Sequence, residues 1–320
     1  IVGAGRAGAG LAAVCRDMAP QPFHLVGMVD DDPEKLGQMV EGVPVLGGGS
    51  QLMELVEREK VSDVIFAISN QMRPEMFQAL LTAEESGVEI TTMPIVYEQL
   101  IGRVPIFLLN SDWIIRSFVD QVHANAFYEM IKRLIDIVGG LVGTIAYIAF
   151  YPLISLATIL DTGSPVLYKQ TRLGLNGREY MIIKFRTMRQ DSEKDGKVRV
   201  TVENDERITR VGKFLRKSHL DELPQFVNVL RGEMSLIGPR AERSELVNNL
   251  QNKVPFYRAR LLVKPGITGW AQVNFGYAAT VEDTAIKLEY DLYYIKHRNL
   301  LLDILILFRT VGTVVGFKGQ

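Results

Sequence analysis

Short apolar runs recur along the first 120 residues, separated by stretches with the spacing of amphipathic helices. "IVGAG" is followed by a helical pattern over 6–18, "FHLVGMVD" by one over 33–41, and "VPVLG" by one over 50–59. "VSDVIFAIS", a helix over 74–86 and "VEITTMP" complete the series. Strands alternating with helices in this way predict a parallel sheet covered by helices on both faces.

The pattern then changes. Residues 137–160, "IVGGLVGTIAYIAFYPLISLATIL", carry no charge over 24 positions. At roughly 1.5 Å of rise per residue this is long enough for about 30 Å of hydrocarbon. A buried core helix is the soluble alternative, but helices of that length normally keep a polar face. Lys132 and Arg133 precede the run and Lys169 and Arg172 follow it, so both ends ask for the same, cytoplasmic side. Pro152 lies inside it and would kink a helix. A helix that enters one leaflet and returns satisfies both features better than a full span. Near the C-terminus, "NLLLDILILFRTVGTVVGF" (299–317) is also apolar but holds Asp303 and Arg309, which suits a helix lying at the interface. Trp270 is a candidate interfacial anchor.

Gly3, Gly5 and Gly8 fit G-x-G-x-x-G between a strand and a helix, with Asp30 at the end of the next strand. That is the fingerprint of a dinucleotide loop, in which the carboxylate meets a ribose. No hydride-transfer constellation follows, so the favoured reading is a Rossmann-like domain that keeps the turn without a nicotinamide cofactor. The chain opens without an initiator Met, inside an apparent strand, as expected of a piece of a longer protein.

Charge separates the two halves. The formal net charge is −1, yet residues 1–130 carry −10 and residues 165–265 carry +9. The second half is therefore expected to meet anions. A single cysteine, Cys15, excludes an internal disulfide and a thiolate zinc site, and the 4 histidines have no metal-ligand spacing.

Within the basic half, "ERITRVGKFLRKSHLDE" sets Arg207, Arg210, Lys213 and Arg216 at steps of three, as a basic stripe on an amphipathic helix. Asp221 and Glu222 follow directly. Pro224 opens the next helix and Gly232 ends it, so the acid pair sits at a helix N-terminus, where negative charge is stabilised and both carboxylates are expected to be ionised. N-capping would account for an acid there. Beside a cationic patch the pair has a further use. Two carboxylates can share a Mg²⁺ with substrate phosphates, and a carboxylate can attack phosphorus to give an acyl phosphate.

Three stretches in order, "YKQTRLGLNGREYMIIKFRTM", "RITRVGKFLRKSHLDELPQFVNVLRGEMSLIGPR" and "VKPGITGWAQVN", resemble the bacterial sugar transferase family, the monotopic polyprenyl-phosphate sugar-1-phosphate transferases. The resemblance covers 125–320, and residues 1–120 resemble the Rossmann-like domain of its long members. It implies an α/β Rossmann-like domain (1–118), a linker with a re-entrant membrane helix (119–165) and a mostly helical α+β catalytic domain with interfacial helices (166–320). It makes Asp221 the nucleophile and Glu222 its Mg²⁺-side partner. Arg216, Lys184, Arg186, Arg240 and Asp291 become substrate- or phosphate-binding residues, and Tyr151–Pro152 marks the break of the membrane helix. Ala241 stands where the family usually has proline after "GPR", and Tyr180 where Phe is common.

The expected activity is transfer of a sugar 1-phosphate from a UDP-sugar to polyprenyl phosphate. It would occur at the cytoplasmic face of the bacterial inner membrane, with membrane lipid but no nucleic acid as partner, and with a homodimer open. A membrane-associated NAD(P)-dependent oxidoreductase or epimerase using "GAGRAG" and a non-enzymatic nucleotide sensor are the alternatives. Only the transferase needs Asp221.

Overall fold

In the computed structural model, which describes residues 1–68, 72–108, 126–189, 205–276 and 280–315, Val2 bridges two parallel neighbours, Val29 and Phe66. The first residues thus form the central strand that "IVGAG" predicts. The chain divides into two units, Ile1–Phe118 and Val119–Gln320.

In the first unit, β1 (Met28–Val29) pairs in parallel with β3 (Val43–Gly47), and β4 (Asp63–Phe66) with β5 (Glu89–Thr92). Helices α1 (Arg6–Asp17) and α4 (Met93–Ile101) contribute Leu11, Cys15, Val96 and Tyr97 to one face of the sheet. Helices α2 (Leu52–Glu59) and α3 (Pro74–Glu85) contribute Leu55, Val56, Met76 and Leu80 to the other. Strand β4 serves both cores, Val64 facing one and Ile65 the other, which is why the run from Val64 to Phe66 does not alternate with polar residues.

One predicted helix is absent. Residues 33–41 form a single 3-10 turn, Pro33–Lys35, then β2 (Met39–Val40), antiparallel to β3. Gly37 adopts φ +74°, and Glu41 and Gly42 adopt +50° and +81°. Positive φ at both central residues is the signature of a tight hairpin, and it stops helical propagation. The sheet is therefore not wholly parallel.

The second unit is organised around α5 (Ala126–Thr162), 37 residues long. The helical assignment continues through Pro152, so the expected break at Tyr151–Pro152 falls inside a single helical element. The helix is held on both sides of the proline, because Tyr147 and Tyr151 pack on Phe185, with centroids 5.7 and 6.0 Å from its ring, and Ile154 joins the same cluster. Its polarity is inverted relative to a soluble helix. Leu134, Val142, Ile148, Leu153 and Leu160 are exposed, while Asp136 is buried. Lys132 donates to Asp303 Oδ2 at 2.9 Å, and Arg133 to the carbonyls of Val229 and Leu230 at 2.9 and 2.8 Å. Asp136 accepts from Ser235 Oγ and Leu236 N at 2.9 and 2.8 Å. Gly143 is required by packing, since a Cβ there would lie 2.2 Å from the Phe226 ring.

Helix α11 (Leu300–Val315) repeats the inversion. Asp303 is buried against Tyr128, Lys132 and Tyr294, and Arg309 lies 4.9 Å over the Trp270 ring. Leu301, Leu305 and Phe308 face outward. Trp270 itself is buried and stacked on Tyr293, so it is a core residue and not an anchor. Contiguous apolar surface with Asp136 and Asp303 turned inward is the arrangement of a body that meets hydrocarbon.

The remaining elements complete a mixed α+β body. β6 (Leu167–Leu173) and β7 (Glu179–Phe185) form an antiparallel hairpin, followed by α6 (Arg210–Lys217) and α7 (Gln225–Arg231). β8 (Ser235–Ile237) pairs in parallel with β9 (Gly266–Thr268). The helices α8 (Ser244–Leu250), α9 (Trp270–Asn274) and α10 (Val281–His297) pack around them.

Candidate active site

Asp221 and Glu222 lie on a 3-10 turn, Leu220–Glu222, just before α7. His219 enters this turn at φ +58°, a left-handed conformation unusual for a residue with a side chain. Strain of this kind is tolerated where the surroundings fix the chain. Here His219 N donates to Arg216 O and His219 O accepts from Glu222 N. The turn is thereby tied to the end of α6.

The side chains around the pair come from three elements. Lys184 on β7 donates to Glu222 Oε1 at 2.7 Å, and Arg240, beyond β8, donates to the same oxygen at 2.9 Å. Arg216 at the end of α6 donates through Nε to Thr187 Oγ1 at 2.9 Å, which sets its guanidinium on the Asp221 side. Asp221 accepts no hydrogen bond among the described residues, although only 9% of its surface is exposed.

This environment separates the two acids. Burial pushes the Asp221 carboxyl up to about 6, and the adjacent Glu222 charge adds to the rise. Burial also opposes the charge on Glu222, but Arg240 and Lys184 outweigh it and hold Glu222 well below the usual carboxylate range. Both acids, expected from the sequence to be ionised at neutral pH, thus stand in unequal environments. Glu222 is neutralised by two side-chain cations, whereas Asp221 is a buried carboxylate with both oxygens unengaged. A reactive carboxylate needs that freedom.

The structure brings Asp221, Glu222, Lys184, Arg216 and Arg240 together. It places two other sequence candidates elsewhere. Arg186 turns away from the pair, donating to Thr162 Oγ1 at 2.8 Å and Gly163 O at 2.5 Å, where it closes the C-terminal end of α5. Asp291 is buried on α10 and accepts from Arg260 Nη2 at 2.8 Å. The basic stripe is also divided. Arg207 pairs with Asp205, Arg216 faces the acid pair, and Arg210 and Lys213 point to solvent.

Two supporting residues escaped the sequence reading. Thr187 orients Arg216. Asn228, fully buried, donates to Met181 O at 2.8 Å and accepts from Ile183 N at 3.3 Å, so it locks α7 to β7. An amide in the apolar run "QFVNVL" was the available signal for the second, because a buried amide must find partners. Nothing in the sequence marked the first.

The acid pair offers oxygen ligands of the kind Mg²⁺ takes. Among the described residues no group of three or more His, Cys, Asp or Glu side chains gathers, so there is no closed protein cage. Two carboxylates completed by substrate phosphates remain a fit.

In the first unit, two of the loop glycines are explained by the chain itself. A Cβ on Gly8 would lie 1.9 Å from Gly3 O, and one on Gly3 about 3.0 Å from Ala67. Gly5 alone leaves open space at the start of α1. Asp30 is committed, accepting from Ala4 N at 2.8 Å, Asp32 N at 3.0 Å and Lys35 at 3.0 Å. A ribose would have to displace these bonds, so the carboxylate does not fit the role of a free ribose acceptor.

Comparison with known proteins agrees with this division. Residues 127–317 match the family described as bacterial sugar transferase, and residues 1–94 match one described as CoA-binding domain. In the second matched segment, Lys35, the cation beside the loop carboxylate, is already paired with Asp30 and Asp32.

The chain is 44% identical over 229 residues to a UDP-N-acetylgalactosamine-undecaprenyl-phosphate N-acetylgalactosaminephosphotransferase of Aeromonas hydrophila, covering 70% of this chain and 52% of that protein. It is 33% identical over 291 residues to a UDP-glucose:undecaprenyl-phosphate glucose-1-phosphate transferase of Xanthomonas campestris pv. campestris, covering 87% and 58%. It is 31% identical over 323 residues to a UDP-galactose-lipid carrier transferase of Erwinia amylovora, covering 93% and 64%. The chain thus spans between half and two thirds of the length of these relatives. With the acid pair and its cations all inside the matched segment, the chain belongs to the bacterial sugar transferase family.

Proposed function

We propose that this chain transfers a sugar 1-phosphate from a UDP-sugar to polyprenyl phosphate, releasing UMP, as the first membrane step of an exopolysaccharide or O-antigen. The observation that carries the reading is Asp221: a buried carboxylate that accepts no hydrogen bond from the described residues, beside an acid already neutralised by Lys184 and Arg240. The donors in the relatives' names are UDP-sugars and their acceptors are undecaprenyl phosphate or a lipid carrier.

In this mechanism an Asp221 oxygen attacks the sugar-bearing phosphorus. A P–O bond forms to the carboxylate, the bond to the bridging oxygen breaks, and that oxygen leaves with UMP. An oxygen of the lipid phosphate then attacks the same phosphorus and Asp221 is released. Lys184, Arg216 and Arg240 offset the repulsion between carboxylate and diphosphate and stabilise charge on the non-bridging oxygens. Asp221 and the Glu222 oxygen that carries no cation would hold Mg²⁺, which supplies further charge neutralisation at the diphosphate.

The test is a donor labelled in the β-phosphate, mixed with enzyme and no lipid. Label should remain on denatured protein and leave with hydroxylamine, which cleaves acyl phosphates. Enzyme that is active in the complete assay but yields no adduct, with intersecting initial-rate lines, would point to direct transfer in a ternary complex.

We further propose that α5 lies in one leaflet of the inner membrane and that the acid pair sits at the cytoplasmic face. Tyr128 and Lys132 near one end of α5 and Thr162 at the other contact the same unit, and so does Gly143 between them. A spanning helix would instead have to draw α7 into the hydrocarbon. Single cysteines at Glu129 and Lys169, in a Cys15→Ala background, should be labelled from the same side of sealed vesicles. Labelling from opposite sides would show a span.

A further inference from the structure

Arg240 reaches Glu222 from an irregular segment, Gly238–Arg240, and a long side chain aimed from a loop needs its backbone held. One hold is the edge of β9, where Gly266 N donates to Pro239 O at 2.9 Å. The other is Arg260, on a short 3-10 helix, Tyr257–Leu262. Its Nη2 donates to the Arg240 carbonyl at 3.1 Å and to Asp291 Oδ2 at 2.8 Å. Its Nη1 donates to Tyr257 Oη at 2.7 Å and to Glu242 Oε1 at 3.4 Å. The side chains of Arg260 and Asp291 are 3% and 2% exposed. Neither hydrogen-bonds Asp221 or Glu222.

We propose that Arg260, held in place by Asp291, is a positioning residue that fixes the Arg240 carbonyl and so aims the Arg240 guanidinium at Glu222 and the substrate diphosphate. The planar fork is what the task requires. It satisfies a carbonyl, a carboxylate and a phenol in one fixed geometry, whereas an ammonium would swivel among them. Stability alone does not call for the pair, because replacing a buried ion pair by packed apolar groups is often neutral or stabilising. The arrangement also gives Asp291 a place in the reaction without contact with the acid pair. It acts through Arg260, then the backbone of residue 240, then the guanidinium.

This inference rests on the reading of Arg240 as a phosphate-holding group, and the test separates the two. Arg260→Lys, Arg240→Lys and the double variant are made in the full chain and purified into lipid nanodiscs. UMP release and UDP affinity by titration calorimetry are measured on each. Arg260→Lys should raise KM for the UDP-sugar and weaken UDP binding by roughly ten- to a hundredfold, with a smaller fall in kcat. In the Arg240→Lys background the same change should add less than about twofold, because the two residues act through one group. Asp291→Asn keeps the shape and one acceptor, so it should shift the same parameters less, with the same loss of additivity.

Equal effects in both backgrounds would overturn the proposal. So would an Arg260→Lys enzyme with a lowered Tm but unchanged KM and UDP affinity, which is the behaviour of a merely structural ion pair. If Arg260→Lys does not fold, Asp291→Asn alone and combined with Arg240→Lys decides by the same criterion. Should the wild-type protein release no UMP from any UDP-sugar, the proposed function fails, while the cycle on UDP affinity still tests Arg260.

Discussion

Asp221→Asn should abolish sugar phosphate transfer and at the same time make the protein more stable. The carboxylate is buried, accepts no hydrogen bond among the described residues, and is pushed up to about 6 by burial and by Glu222. A folded-state value above the ordinary 3.8 means that the charged form is disfavoured by folding. Its stability cost is absent below about pH 4, grows as pH rises through the interval up to about 6, and is constant above it. A shift of this size corresponds to about 3 kcal/mol as an order of magnitude. The amide has nearly the same shape and no charge, so it removes the cost.

Thermal unfolding in EDTA should therefore show the variant above wild type at pH 8 by several degrees. The gap should close as pH falls towards 4, where the wild-type carboxyl is protonated. The labelled phosphosugar adduct should be absent. A variant that is inactive but no more stable than wild type at pH 8 would mean that Asp221 has a partner in the folded protein, and that its isolation is not the source of its reactivity. Stability and activity oppose each other at this residue because a nucleophile held ready must be left unsatisfied.

The legible part of this protein was the part written in local spacing. The alternating runs of residues 1–94 pointed to the α/β sheet, and the helices at 6–17, 52–59 and 74–85 match their patterns in length, whereas the strands occupy only part of their apolar runs. The exception was 33–41, where the turn formed by Glu41 and Gly42 outweighed a weak helical pattern. The apolar run at 137–160 pointed to one long helix, and Pro152 lies inside it, directly after Tyr147 and Tyr151 have packed on Phe185. Asp221 and Glu222 were legible because two acids interrupt a basic stretch. Lys184 and Arg240 were assigned by resemblance and do meet at Glu222.

What spacing could not convey is direction. Arg186 is two residues from Lys184 and stands in the same motif, yet it faces the end of α5, because β7 ends at Phe185 and the backbone turns. Asp291 looks like a site residue in sequence and is a buried support in the fold. The inverted polarity of α5 and α11 was visible as apolar composition. That Lys132 and Asp136 turn inward depends on partners more than 90 residues away, Asp303 for the first and Ser235 for the second.

Glu222→Gln should have the opposite stability effect from its neighbour, and this contrast is the sharper test of the site. Lys184 and Arg240 both donate to Glu222 Oε1, and the Lys184 side chain is 19% exposed. Removing the carboxylate leaves that ammonium without its counter-charge, and Asp221 is the only other acid of the pair that could take it. Breaking one partner of a buried pair typically costs about 3–5 kcal/mol. Arg240 reaches water, with 43% of its side chain exposed, so solvent recovers part of its share and the low end applies. The glutamine variant should unfold several degrees below wild type at pH 8, while Asp221→Asn unfolds above it. With Lys184 drawn towards Asp221, the nucleophile gains a partner, and its carboxyl should titrate lower than in wild type. Transfer should fall by two or more orders of magnitude, and the Mg²⁺ concentration needed for half-maximal rate should rise if Glu222 holds the metal. A glutamine variant as stable as wild type, or one that loses activity with no change in Mg²⁺ requirement, would show respectively that the two cations do not depend on this acid, or that it serves only as their counter-charge.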